Sequence, residues 1–171
     1  LIWLDYLPPG FGADSEVLTR ILQGLSAVAG TPAETYLRRR GITRWPPHSV
    51  RFSRWPFGLC GVAQDAAGNV RAVQVVQLTE DGRKASVEVV KRTFAAGSGW
   101  HEIAAVRMPG RGGTILCEGI ETGLSVWQAT GRNVLACLGL AGVRKVRVPG
   151  KRVTIARDGD GPGMTQTASA P

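Results

Sequence analysis

The sequence predicts an α/β protein: a C-terminal lobe built on a Rossmann-like βαβ parallel sheet, joined to a smaller α+β N-terminal lobe. Three observations predict it. From residue 114 onward, short β-rich runs alternate with helical spacing in the order strand, helix, strand, connection, strand, which implies a parallel sheet. Before that point, two amphipathic helical stretches precede a run of alternating apolar residues broken by turn signals. Between the two patterns lies Pro109-Gly110-Arg111-Gly112-Gly113, a flexible break that sets the lobes at residues 1–113 and 114–171. The composition, 43% hydrophobic and 20% charged over 171 residues, is ordinary for a globular chain and excludes a disordered tail or a fibre.

Taken in order, Asp14 or Ser15 caps a first helix carrying Leu18, Ile21, Leu22 and Leu25, with Gly30 as its end. Thr31, Pro32 and Glu34 then read as N-cap, first helical residue and third residue of a capping box. That second helix carries Tyr36, Leu37 and the run Arg38-Arg39-Arg40 until Gly41 stops it. Residues 44–57 contain three prolines and read as an extended connector. Residues 59–90 read as a three-stranded meander, turning at 65–69 and 80–82, and residues 103–108 as a further strand. Beyond the break come a strand at 114–117, a helix at 120–130 closed by Gly131, a strand at 134–138, a turn or short helix at 139–143, and a strand at 153–156. In such sheets ligands gather beyond the carboxyl ends of the strands, so the residues just after each strand are the candidates for chemistry.

The charge narrows the class of partner. Twenty-one Lys and Arg against 13 Asp and Glu give +8 and a pI near 10.3, spread through the chain rather than carried on a tail. That favours a polyanion, with nucleic acid first among them. No apolar run approaches the ~20 residues that cross a bilayer, and the start lacks a signal-peptide pattern, so the expectation is a cytoplasmic protein without membrane association. The first residue is not Met, which suits a piece of a longer protein. Cys60, Cys117 and Cys137 are odd in number and lack CxxC spacing, so they read as core residues rather than disulfide or zinc ligands. His48 and His101 read as structural or surface residues.

Glu118 follows the first strand of the C-terminal lobe, and Asp158 and Asp160 follow the third, so the fold can bring three carboxylates to one sheet edge. Magnesium takes oxygen ligands of this kind together with water and substrate phosphate, and one or two such ions serve phosphoryl transfer. The segment 158–163 also resembles a plain surface turn. It fails as an EF-hand loop, and 110–113 fails as a Walker phosphate loop. Among residues 114–171 the only acids are Glu118, Glu121, Asp158 and Asp160, set against seven basic residues. An acidic focus on a basic background suits a nucleic-acid enzyme. Arg38, Arg39, Arg40, Arg44, Arg51 and Arg54, interleaved with Trp45 and Trp55, offer a track for single-stranded DNA; the plainer reading has the tryptophans packing the connector onto the core. Lys91 and Arg92 close the meander as candidate phosphate contacts or as a solvated strand end.

Cys117-Glu118-Gly119-Ile120-Glu121-Thr122-Gly123 together with Ala156-Arg157-Asp158-Gly159-Asp160-Gly161-Pro162-Gly163 resembles the Toprim domain of primases, topoisomerases and some nucleases, and in particular the primase-like Toprim proteins of plasmids, phages and integrated elements. Residues 30–42 resemble an upstream segment of the same proteins. The resemblance implies a Toprim fold for the C-terminal lobe, Glu118 as general acid/base or metal-associated glutamate, Asp158 and Asp160 as ligands of Mg²⁺ or Mn²⁺, and Gly119 and Gly163 as backbone-turn positions. It implies a primase-type nucleotidyltransferase that uses single-stranded DNA and nucleoside triphosphates, in company with a helicase or zinc-ribbon module. A Toprim nuclease and a silent nucleic-acid-binding or docking fragment are the alternatives. Glu121 is either a further acid of the site or a solvent-facing helix-start residue. Arg157, where the family has a small residue, lowers the pKa of Asp158, touches phosphate or competes with the metal. The chain ends eight residues after Gly163, where the family continues with a helix and a strand, so the Toprim lobe reads as truncated.

Overall fold

Alternating valines and small residues between positions 57 and 77 build the frame of the molecule, two long strands buried on both faces. The computed structural model describes residues 14–148 and 153–157. In chain order its elements are α1 (Asp14–Gln23), β1 (Leu25–Ser26), α2 (Pro32–Arg39), β2 (Val50–Arg54), β3 (Phe57–Gln64), β4 (Val70–Gln77), β5 (Lys91–Ala95), β6 (Ala105–Met108), β7 (Thr114–Cys117), α3 (Ile120–Thr130), β8 (Asn133–Ala136), α4 (Leu140–Lys145) and β9 (Val153–Ile155). Among the described residues the strands form one nine-stranded mixed sheet. The α/β expectation holds, with β7, α3 and β8 forming a parallel βαβ unit and β9 parallel to β7 on its other side.

The sheet does not stop at the break of residues 109–113. β2 and β6 lie end to end along one edge of β3, and β6 continues antiparallel into β8, pairing Val106 with Ala136. The main core follows the same course: Tyr36, Leu37, Leu59 and Val106 from one side of the break pack with Ile120, Leu124, Trp127 and Ala136 from the other. Strand alternation sends α2 and α3 to one face. On the opposite face α1 covers Cys60, Val62, Val73 and Val75, and the valines of residues 143–148 cover Leu116, Leu135 and Cys137. All three cysteines are buried free thiols, and burial pushes Cys60 and Cys137 up to about 12, which leaves them unreactive at neutral pH.

Several local expectations are corrected. α1 ends at Gln23, not at Gly30, and Leu25 leaves the helix to pair with Ser53 as an edge strand. The proline-rich connector contains β2, because none of its prolines falls within residues 50–54 and the backbone there is free to pair with β3. Phe52 and Phe57, in edge-to-face contact at 5.0 Å, hold that hairpin to the core, while Trp45 and Trp55 are 55% and 46% exposed. The meander's third strand lies at Lys91–Ala95, beyond residues 59–90, because the intervening segment carries Lys84 and Glu88 and buries little. The capping box is displaced by one residue. Glu34 Oε2 accepts from Gly30 N, and the Thr31 hydroxyl donates to Val28 O instead of capping α2. Gly131, at φ +64, ends α3 in the left-handed conformation expected of it.

Candidate active site

The chain turns from β7 to α3 to β8 on one side and then returns past β7 to reach β9 on the other, so β7 stands at a topological switch point. Its carboxyl end opens a crevice between diverging connections. Glu118 is the first residue after β7 and is exposed there, its carboxylate open to solvent. The chain leaving β9 runs to the same edge, with Ala156 N donating to Leu116 O at 2.8 Å and the exposed Arg157 next in line. Asp158, Asp160 and Gly163 lie outside the described residues. Across the crevice, Leu138 follows β8 at φ +60, and its carbonyl accepts from Gln74 Nε2 of β4 at 3.4 Å. A branched side chain in this left-handed conformation is strained and is held by its surroundings.

Glu121 differs from both expectations for it. It is 5% exposed, in the first turn of α3, facing the core. The Tyr36 hydroxyl of α2 donates to its Oε1 at 3.0 Å, Lys84 Nζ lies 3.5 Å from Oε1, and Lys91 Nζ lies 3.5 Å from Oε2. The sequence hides this arrangement, since Tyr36 and Glu121 are 85 residues apart and only the β-meander brings Lys84 and Lys91 between them. Burial acts to raise the Glu121 pKa, but Lys91, the residue's own N–H, Lys84 and Tyr36 together outweigh it and hold the carboxyl below its ordinary 4.5. Desolvation and the facing carboxylate push the Tyr36 phenol far upward, so it stays a donor.

The remaining basic candidates are placed as follows. Lys91 and Arg92 point to opposite faces of β5 by strand alternation, so only Lys91 reaches α3. Arg38 pairs with Glu34 one turn earlier, Arg39 donates to the carbonyls of Asp81 and Gly82, and Arg40 lies over the Tyr36 ring at 5.7 Å. All three remain exposed. Gly119 has an extended backbone, φ −110 and ψ 160, that any residue adopts. In this half the packing requires a glycine at Gly142, where a Cβ would lie 2.3 Å from the Cys137 carbonyl oxygen, while at Gly123 it would meet the flexible end of Met108 at 2.9 Å.

Glu118 offers a divalent cation hard, solvent-accessible oxygens, whereas both oxygens of Glu121 are engaged by a hydroxyl and two ammonium groups. Glu118 therefore fits a metal and Glu121 does not. Among the described residues no three His, Cys, Asp or Glu side chains come together as a complete metal site, nor is any helix long and apolar enough to cross a membrane.

Residues 13–102, more than half of the chain, match a family model described as a domain of unknown function, DUF7146. The chain belongs to the DUF7146 family. In this member a second model, the Toprim domain, matches residues 113–170, which contain β7, Glu118, α3, β8, α4 and β9. Toprim domains bind divalent metals such as Mg²⁺, and the match supports a metal-dependent, nucleic-acid-related function. No curated protein and no solved structure matches the chain. Tyr36, Lys84 and Lys91, which hold Glu121, all come from the DUF7146 match, and Glu121 itself comes from the Toprim match.

This buried cluster has a consequence for acid stability. A carboxylate held below its unfolded value stabilises the fold at pH above that value, and the contribution is lost as pH falls through the folded one. Glu121, from 4.5, and Asp65, from 3.8, both titrate below their ordinary values; at Asp65 burial acts upward but is outweighed by Asn69 and Arg71. The denaturation midpoint is therefore expected to stay level from neutral pH to about 5 and to fall below pH 4.5. In Glu121→Gln it starts lower and falls less steeply. Equal acid slopes in the two proteins would count against an ionised Glu121.

Proposed function

We propose that this protein is a primase-type nucleotidyltransferase, joining nucleotides into short primers on single-stranded DNA with Mg²⁺ or Mn²⁺. The observation that carries the reading is the exposed Glu118 carboxylate at the switch point of a Toprim sheet. The net charge of +8 supports a polyanionic substrate. Glu118, with Asp158 and Asp160 by resemblance, would hold the metal, and Gly163, also by resemblance, would shape the turn beside the two aspartates. A bound divalent ion would supply charge neutralisation for phosphoryl transfer. Arg38, Arg39, Arg40, Lys91, Arg92 and Arg157 are the proposed contacts to nucleic-acid and nucleotide phosphates, and a helicase or zinc-ribbon module is the proposed companion.

The test incubates labelled single-stranded DNA with the protein, four nucleoside triphosphates and Mg²⁺ or Mn²⁺, beside Glu118→Ala. New short products that vanish in the variant establish the primase. Shortened input strands that vanish in the variant overturn it in favour of a Toprim nuclease. No change in either overturns both, and leaves a binding or docking role.

The exposed Trp45 and Trp55 strengthen the single-strand reading, because rings that do not pack into the core are open to stacking by bases. Arg20 already lies over the Trp55 ring at 4.3 Å, while Trp45 borders a small groove with Val28, Leu37 and Ile42. Trp45→Ala is expected to weaken single-stranded DNA binding by about 5- to 150-fold, as loss of one stacked base implies. Anisotropy at two salt concentrations checks it, and unchanged affinity with an unchanged salt slope removes Trp45 from the interface.

A further inference from the structure

Three separate segments converge on one carboxylate. Tyr36 comes from α2, Lys84 from the β4–β5 connection and Lys91 from β5, and all meet the buried Glu121 in the first turn of α3. A buried carboxylate paired with two half-exposed lysines is a poor way to add stability, since an apolar residue of similar volume is often as good or better. The adjacent Ile120 and Leu124 already bury apolar surface on this helix. What the ionic cluster adds is direction, and its place in the chain says for which group. Glu121 is three residues after Glu118, and Lys91 Nζ would lie 3.7 Å from a Cβ built on the intervening Gly119.

We propose that Glu121 is a positioning residue: through Tyr36, Lys84 and Lys91 it pins the first turn of α3 to the N-terminal half and so sets where Glu118 presents its carboxylate. The inference rests on the reading of Glu118 as metal-associated. Glu121 touches neither metal nor substrate and acts only through Glu118. The far half of α3 is held separately. Gln128 Oε1 accepts from Thr43 N and Arg44 N at 2.7 Å each, and the Arg44 guanidinium lies 3.5 Å from the Trp127 ring centroid. Loss of the Tyr36 hydroxyl therefore loosens the first turn without undocking the helix.

The experiment compares wild type, Tyr36→Phe, which keeps the packed ring, and Glu121→Gln in the full chain. Hydrogen exchange of the amides of residues 119–124 is expected to quicken by about tenfold in both variants, as loss of a hydrogen bond to a charged acceptor implies, with β3 and β4 amides unchanged. Mn²⁺ affinity, measured directly without nucleic acid, is expected to fall by about 10- to 100-fold, the usual effect of removing an orienting partner. The double variant is expected to fall no further than the weaker single one, since both act through one carboxylate. Unchanged exchange overturns the proposal, and so does faster exchange with wild-type Mn²⁺ affinity, which would make the cluster merely structural. Wild-type protein that binds no Mn²⁺ would instead sink the reading of Glu118, while the exchange rates would still decide whether Glu121 pins the turn.

Discussion

Glu118→Gln is expected to lower metal-dependent product formation by about 10²- to 10⁴-fold while leaving the protein as stable as wild type. The rate effect follows from removing a group placed to bind metal or move a proton at the reacting phosphate. The stability effect follows from exposure, because Glu118 is open to solvent and surface substitutions away from packed features stay within about 0.5 kcal/mol. The two readouts separate Glu118 from its neighbour. Glu121→Gln removes a buried, hydrogen-bonded carboxylate and is expected to shift the denaturation midpoint as well as the activity. Single-turnover rates with equilibrium denaturation of each variant check the pair. A Glu118→Gln protein with undiminished rate would remove the β7 edge as the reactive centre.

Trp127→Ala is expected to cost about 3–5 kcal/mol, a large share of the roughly 5–15 kcal/mol that holds a protein folded. Trp127 is 6% exposed, its indole N–H donates to Pro109 O at 2.7 Å, and Arg44 both stacks on its ring and donates to its carbonyl at 3.0 Å. The substitution leaves a cavity and an unpaired carbonyl where α3 meets the N-terminal half. Because the core is continuous across that junction, one cooperative transition is expected in both proteins, moved to lower denaturant in the variant. Two transitions, only one of them shifted, would mean that the halves melt independently.

The C-terminal elements were legible in the sequence because their signals are local. Thr114–Cys117 is a short β-rich run, helical spacing fills 120–130, and Gly131 caps it, so strand and helix follow without tertiary information. The N-terminal half was less legible where the fold depends on distant partners. Leu25 suits the apolar stripe of α1, yet pairing with Ser53 captures it for the sheet, and a pattern of spacings cannot show that competition. The same holds for the site. Glu118 announces itself as an acid after a strand. Glu121 looks like an ordinary helix-start glutamate until α2 and β5 close over it. Lys84 carries no local signal at all, because its partner lies 37 residues on and across a strand crossover.

The shared strand β6 constrains how such a chain can be taken apart. Cut within residues 109–113, the first piece would end on β6 with its β8-facing edge bare, and the second would begin with β7 and carry β8 without the partner of Val134, Leu135 and Ala136. Each piece would expose unpaired backbone that templates strand addition. The two fragments would therefore recognise one another along a fixed register, as in a split reporter, or else self-associate. Recombination that swaps one half for a homologue would succeed only where the newcomer reproduces that seam.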